Sequence, residues 1–207
     1  MEPGLAPELV DDEVFDDWLP LSLQIKASTH FTPIEVARHV AKLLAPEQQG
    51  MTVLDVGSGA GKFCIGAGLA APWAQFVGVE LRPRLVRLAD RLARTCGLPN
   101  VRFVHANALD LDWSAYDAFY FYNPFAEQMF DAAFVIDDTI EMNPSNYVRY
   151  VTGVGERLAR ARLGTRVATY HGFGATPPPG YELIHDEAFG SDRVELWIKT
   201  QPIAASP

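Results

Sequence analysis

In VLDVGSGAGKF (53–63) an apolar run ends in glycines at alternate positions, Gly57, Gly59 and Gly61, and passes at once into a second apolar run. A glycine turn between a strand and a helix lets the backbone approach a ligand and tolerates positive φ, at the place where open α/β sheets bind their ligands. Two chemistries that use such a turn fail here on spacing. The dinucleotide fingerprint G-x-G-x-x-G needs a glycine where Lys62 stands. The phosphate-cradling G-x-x-x-x-G-K-[ST] needs one at Val56 and a hydroxyl at Phe63. A second unusual stretch, FYNPFAEQ (121–128), sets an amide, a rigid ring and a phenyl ring, Asn123, Pro124 and Phe125, just past another apolar run. On its own an Asn-Pro pair is a turn.

The pattern D-x-G-x-G-x-G, carried by Asp55, Gly57, Gly59 and Gly61 with Ser58 inside it, resembles the cofactor loop of class I S-adenosylmethionine-dependent methyltransferases. The resemblance covers roughly 29–200 and continues at matching intervals. It implies that Glu80, closing VGVE, accepts hydrogen bonds from both ribose hydroxyls of S-adenosyl-L-methionine, which a carboxylate can do at once. It implies further that Leu81 packs on the adenine, and that Asn107 and the backbone N–H of Ala108 read its edge. In THFTPIEVA (29–37), Phe31 and Thr32 then lie over the methionine end.

Asn123-Pro124-Phe125 is similar to the [DNS]-P-P-[YFW] loop of members that methylate nitrogen, with the second proline missing and the aromatic one place early. It also resembles the Asn-Asn-Phe loop of the non-SET histone lysine methyltransferases. The chemistry this implies is in-line methyl transfer to nitrogen. The nitrogen becomes cationic as it attacks, so acceptors placed there stabilise the transition state. The Asn123 side-chain oxygen and the Pro124 carbonyl supply them, Asn123 also touching the cofactor, while the Phe125 ring face favours the growing charge. No general base and no metal is required.

Lysine in a protein is the expected acceptor, since the loop is closer to lysine-directed relatives than to base-directed ones. A small molecule or a nucleic-acid base is the alternative. From another class comes a regulatory module that binds the cofactor without catalysis. Tyr170, His171 and Glu127 are weaker candidates for the acceptor pocket.

Elements that would position these residues alternate along the chain. TVLDVG (52–57), QFVGVE (75–80), VRFVHA (101–106), DAFYFY (117–122) and RVATYHG (166–172) read as strands. Helical spacing marks 33–45, capped by Thr32, and RPRLVRLADRLARTCGLP (82–99), whose Arg84, Arg87, Arg91 and Arg94 fall mostly off the apolar stripe, as a solvated exterior. A further helix runs from a cap at Ser145 to Gly164, and YELIHDEAF and RVELWIK form a closing hairpin. The fold class is therefore α/β, a doubly wound, mainly parallel sheet with a C-terminal antiparallel hairpin.

Composition bounds the rest. With 48% hydrophobic residues in 207, one domain with a substantial core is expected, residues 29–207, preceded by an acidic arm, 1–28, of which 1–17 are expected to be mobile or loosely docked. A net charge of −9 argues against a broad grip on nucleic acid. Cys64 and Cys96 lack metal-ligand spacing. No secretory signal and no run of ~18 apolar residues is present, so a cytoplasmic location is expected and no membrane partner.

Overall fold

The computed structural model describes residues 10–47, 50–131 and 133–202. Strands β1 (Thr52–Val56), β2 (Gln75–Glu80), β3 (Val101–His105), β4 (Ala118–Phe121) and β5 (Arg166–Tyr170) run parallel, and β6 (Tyr181–Phe189) and β7 (Asp192–Lys199) form the antiparallel hairpin. Together they make one sheet in the order β3-β2-β1-β4-β5-β7-β6. The chain works outward from β1 to β3, then returns to lay β4 on the other side of β1. That reversal leaves a crevice at the carboxyl ends of β1 and β4.

Both faces of the sheet are covered, which is why β1 and β4 are almost continuously apolar. On one face α4 (Ile34–Leu44), α5 (Lys62–Ala70) and α6 (Pro83–Thr95) pack on Val53, Phe76, Tyr120, Ala168 and Leu196. On the other α7 (Pro144–Arg160) packs on Leu54, Val77, Phe119 and Val167.

The described part of the leading segment is not a solvated arm. It folds as α1 (Asp12–Asp17), α2 (Leu21–Gln24) and α3 (Ala27–His30), and buries Phe15, Leu19, Leu23 and Ala27 in the main core. Those four recur every fourth residue across the three short helices and the bend at Leu19, a spacing masked in sequence by the acids around Phe15. Residues 1–9 lie outside the described residues.

Two caps also differ from expectation. Helix α4 starts after Pro33, and its first N–H, on Ile34, is bound at 2.8 Å by the Asp12 carboxylate; Thr32 instead shares a 3.0 Å hydrogen bond with Tyr120. Asn143, not Ser145, caps α7, accepting from the N–H groups of Ser145 and Asn146, and the helix ends at Arg160, before Gly164.

Candidate active site

The topology brings the two unusual stretches together. Strands β1 and β4 are neighbours, so the glycine turn meets Asn123–Pro124 at the strand tips. A Cβ on Gly57 would stand 2.8 Å from the Pro124 Cβ, and one on Gly59 2.8 Å from the Phe31 ring. With φ of +78° and +54° as well, both positions need glycine for two reasons. The N–H groups of Gly57 and Ser58 both donate to the Val79 carbonyl at 3.0 Å, tying the turn to β2.

Glu80 is buried at the tip of β2. One oxygen accepts from the Gly59 N–H at 3.1 Å and the other from the Arg82 N–H at 2.8 Å. Burial raises its pKa, while those two donors and the Arg82 guanidinium pull the other way. Each oxygen keeps a further lone pair for a ligand hydroxyl.

Asp55 lies deeper, where its carboxylate accepts from the Cys64 thiol at 3.4 Å; burial pushes it up to about 7, the thiol opposing and the Glu80 charge adding. It shares a narrow cleft with Phe31, Thr32, Ser58 and Lys62. The Ser58 hydroxyl is buried there without a hydrogen-bond partner.

Two cavities flank the Gly57–Pro124 junction. The first, about 60 Å³, has an apolar side made by Leu81, Ala108, Phe125, Ile140, Met142 and Tyr150, with Glu80, Arg82, Glu127 and Gln128 on its polar rim. Asn107 stands at its edge, yet both its groups are engaged within the fold: the oxygen caps Leu109 N–H at 2.9 Å and the nitrogen donates to the Tyr150 hydroxyl at 3.3 Å. Phe125 belongs to this cavity, stacked on Tyr150 with centroids 5.0 Å apart, and not to the acceptor side where the loop resemblance had placed it. The reason is local. Asn123 takes a left-handed φ of +41° and its carbonyl receives the Ala126 N–H, so the chain doubles back and swings the next ring toward α7.

The second cavity, about 340 Å³, opens beyond Asn123 and Pro124, with His30, Tyr122, Glu127, Phe130 and His171 in its wall. Tyr122 stacks on Tyr170 with centroids 5.7 Å apart, and burial pushes its hydroxyl up to about 12, so it stays a neutral donor. His171, at φ +61°, holds Nδ1 2.6 Å from the Asp192 carboxylate. Left-handed φ at two non-glycine residues costs about 1–3 kcal/mol each, and such strain clusters at functional sites. The two strained tips are joined directly: the Asn123 N–H donates to the Gly172 carbonyl at 2.8 Å.

Arg82 closes the roof. Its guanidinium pairs with Glu127 and with Asp137, each at 2.9 Å. Against burial, hydrogen bonds from Thr139, Arg82 and Arg84 hold Asp137 well below the usual carboxylate range. Lys26 and His30 bind the carbonyls of Val135 and Phe134 from the opposite side. Arg82, Asp137, His30 and Tyr122 are not legible in sequence as site residues; the one available hint is that Arg82 follows Glu80 by two. Of the arginines of α6, Arg87, Arg91 and Arg94 are exposed as expected, and Arg84 turns to Asp137.

Known proteins match this chain in the same region. Residues 47–147 match the family model described as a methyltransferase domain. The demethylmenaquinone methyltransferase of Thermus thermophilus is 30% identical over 142 residues, 69% of this chain and 56% of that protein. A tRNA (guanine-N(7)-)-methyltransferase of a Synechococcus species is 43% identical over 54 residues, 26% of this chain and 23% of that one. The chain thus spans little more than half of the first relative's length. A crystal structure of an RNA methyltransferase from Salinibacter ruber, in complex with S-adenosyl-L-homocysteine, superposes with a TM-score of 0.56 at 22% identity, covering 84% of this chain and 97% of that one. The relatives' names give acceptors as unlike as a quinone and a tRNA, so they lend no support to the expected absence of nucleic acid. Among the described residues no helix is long and apolar enough to cross a membrane.

Proposed function

We propose that this chain, which matches the methyltransferase-domain family model over residues 47–147 and has the class I sheet, transfers a methyl group from S-adenosylmethionine to a nitrogen, first of all a protein lysine. The residues present fit the cofactor. Glu80 has free lone pairs for two ribose hydroxyls, Leu81 and the stacked Phe125 and Tyr150 offer an adenine an apolar wall in a cavity that must widen to admit it, and the Ser58 hydroxyl awaits a partner. When bound, the cofactor supplies an electrophilic methyl on a sulfonium.

One observation carries the reading. The contact of Gly57 with Pro124 is shared by both cavities, so a group seated in the apolar one presents its far end to the other. There the Asn123 side-chain oxygen and the Pro124 carbonyl accept the N–H groups of an amine and aim its lone pair, while the Tyr122 ring and Glu127 favour the charge it gains. Alignment of this kind accounts for up to ~7–11 kcal/mol of a barrier in well-oriented systems. Lining that mixes acceptors with rings suits an amine on a flexible stem. Two free, buried cysteines are in keeping with a reducing, cytoplasmic setting.

The test is transfer of labelled methyl from S-adenosylmethionine into a cell extract, then separation into protein, nucleic acid and metabolites. Methyl-lysine in the hydrolysed protein fraction is the expected result. Label confined to RNA would favour a nucleobase acceptor, the reading supported by the exposed Arg87, Arg91 and Arg94 and by the name of the tRNA-directed relative. S-adenosylhomocysteine binding with no transfer to any fraction would favour a regulatory module.

A further inference from the structure

We propose that His39, His185 and Glu187 form a binding site for a divalent transition-metal ion of the zinc class, which pins helix α4 to the closing hairpin. The Nε2 atoms of His39 and His185 stand 3.1 Å and 3.0 Å from the same oxygen of Glu187, and the three candidate ligand atoms lie within 4.8 Å of one another. Tetrahedral zinc, with bonds of about 2.0–2.2 Å, requires ligand atoms roughly 3.3–3.6 Å apart. The two contacts with Glu187 need to lengthen by only a few tenths of an ångström, and the two imidazole nitrogens, within 4.8 Å of each other, need to close by at most about 1.5 Å through side-chain rotation.

Three features set the cluster apart from a chance ion pair. The first is the buried Nε2 of His39, which has no hydrogen-bond partner despite its closeness to Glu187. A buried ring nitrogen left unsatisfied costs free energy, and a metal removes that cost by using its lone pair.

The second is a bulge. The register of β6 against β7 slips by one residue between Leu183, opposite Trp197, and His185, opposite Leu196. Because side chains alternate along a strand, an unbroken register would put His185 and Glu187 on the Trp197 face. The slip carries both to the face of Leu196 and Val194, where α4 packs and His39 waits. The third is the fixed ring of His39, stacked on Phe189 at 4.9 Å, which holds the ligand in place before any ion arrives.

Donor chemistry selects the ion. Two imidazoles and one carboxylate suit zinc and its neighbours, while magnesium and calcium require more oxygen ligands than are present. All three side chains are partly open to solvent, so water completes the coordination. Nothing of this was visible in sequence, where His39 and Glu187 are separated by most of the chain. The consequence is structural: α4 begins two residues after Thr32, whose neighbour Phe31 walls the glycine turn, so a clamp on α4 steadies that wall.

Metal-stripped protein should bind one Zn2+ by calorimetry, and Co2+ should give the visible absorption of a four-coordinate site. At a hundredfold excess over Kd the Tm should rise by about 5–10 °C, and Mg2+ should leave it unchanged. His185→Gln and Glu187→Gln, both on a partly exposed strand, should fold as shown by circular dichroism, bind Zn2+ at least tenfold more weakly, and keep methyl-transfer activity. No saturable Zn2+ binding in the parent protein would overturn the proposal. So would an equal Tm rise in the parent and both variants, which would put the ion elsewhere.

Discussion

The Lys62 ammonium sits 2.7 Å from the Asp16 carboxylate and 2.9 Å from Asp12, so the first residue after the glycine turn is held by the helix at the start of the described chain. A lysine that is 4% exposed at a helix N-terminus is opposed by both desolvation and the helix dipole. Paired carboxylates are what make it tolerable. Two acids of the run that looks solvated in sequence, Asp12 and Asp16, therefore reach Lys62, and Asp12 also takes the first N–H of α4, while Asp11, Glu13 and Asp17 stay exposed.

Asp16→Ala should lower the unfolding free energy by about 1–3 kcal/mol, because it strips one partner from a buried cation whose other partner is half exposed. Adding Lys62→Met should recover much of that loss, since an apolar chain of similar length needs no partner. Urea unfolding of the two single variants and the double variant measures the coupling. Strictly additive losses would mean that the pair contributes nothing.

Stability should fall as pH rises toward neutrality. Burial lifts Asp55 to about 7 in the fold, against a carboxylate value near 4 when unfolded. Between those values the folded chain holds a proton that the unfolded chain has released. Its contribution is thus complete below about pH 4 and lost as pH rises through about 7. Glu80, also raised by burial, acts in the same sense. Melting from pH 5 to 8 should show a falling Tm, and Asp55→Asn should flatten most of the fall. A variant profile as steep as the parent's would remove Asp55 as its source.

Glu80→Ala should weaken S-adenosylhomocysteine by at least tenfold, about 1.4 kcal/mol, because the ribose loses both its acceptors. The same change frees the N–H groups of Gly59 and Arg82, so Glu80→Gln, which can still accept from one of them, should fall between. Calorimetry on the three proteins checks the order.

What sequence could deliver follows from how local each signal is. The glycine turn after β1, Glu80 at the end of β2 and the run of strands with its closing hairpin depend on short-range spacing, and they stand where the pattern puts them. Phe125 went astray because its direction is set by one left-handed residue, Asn123, and periodicity does not report φ. Arg82 was missed because its role exists only once Glu127 and Asp137, 45 and 55 residues on, fold back over it. The His39 cluster needed both a helix-to-hairpin contact and a register slip.

Asn123 offers a way to separate a strained backbone from a working side chain. Glycine accepts φ +41° without penalty, so Asn123→Gly should match or exceed the parent's stability, while Asn123→Ala keeps the strain and should lose about 1 kcal/mol. Both delete the amide oxygen, so both should lower turnover by tenfold or more and leave S-adenosylhomocysteine affinity nearly unchanged. Full turnover in the glycine variant would leave Asn123 with a conformational role alone.

His171 carries the remaining prediction. The transfer step itself needs no general base, but an amine acceptor is an ammonium near neutral pH and must lose a proton before its lone pair can attack. In the cavity wall His171 is fixed by Asp192, 2.6 Å from Nδ1, and by the edges of Tyr122 and Tyr170. With Nδ1–H donated to the carboxylate, Nε2 is left as the acceptor, the tautomer a base requires. His171→Gln keeps the size and a polar tip but cannot take up the proton. Its kcat should fall at least tenfold at pH 7, with KM little changed, and the deficit should shrink toward pH 9.5, where more of the amine is already neutral. Asp192→Asn should show a smaller loss with the same pH trend, because it removes the orienting charge and leaves the imidazole. A deficit constant from pH 7 to 9.5 would mean that His171 positions the acceptor and does not accept its proton.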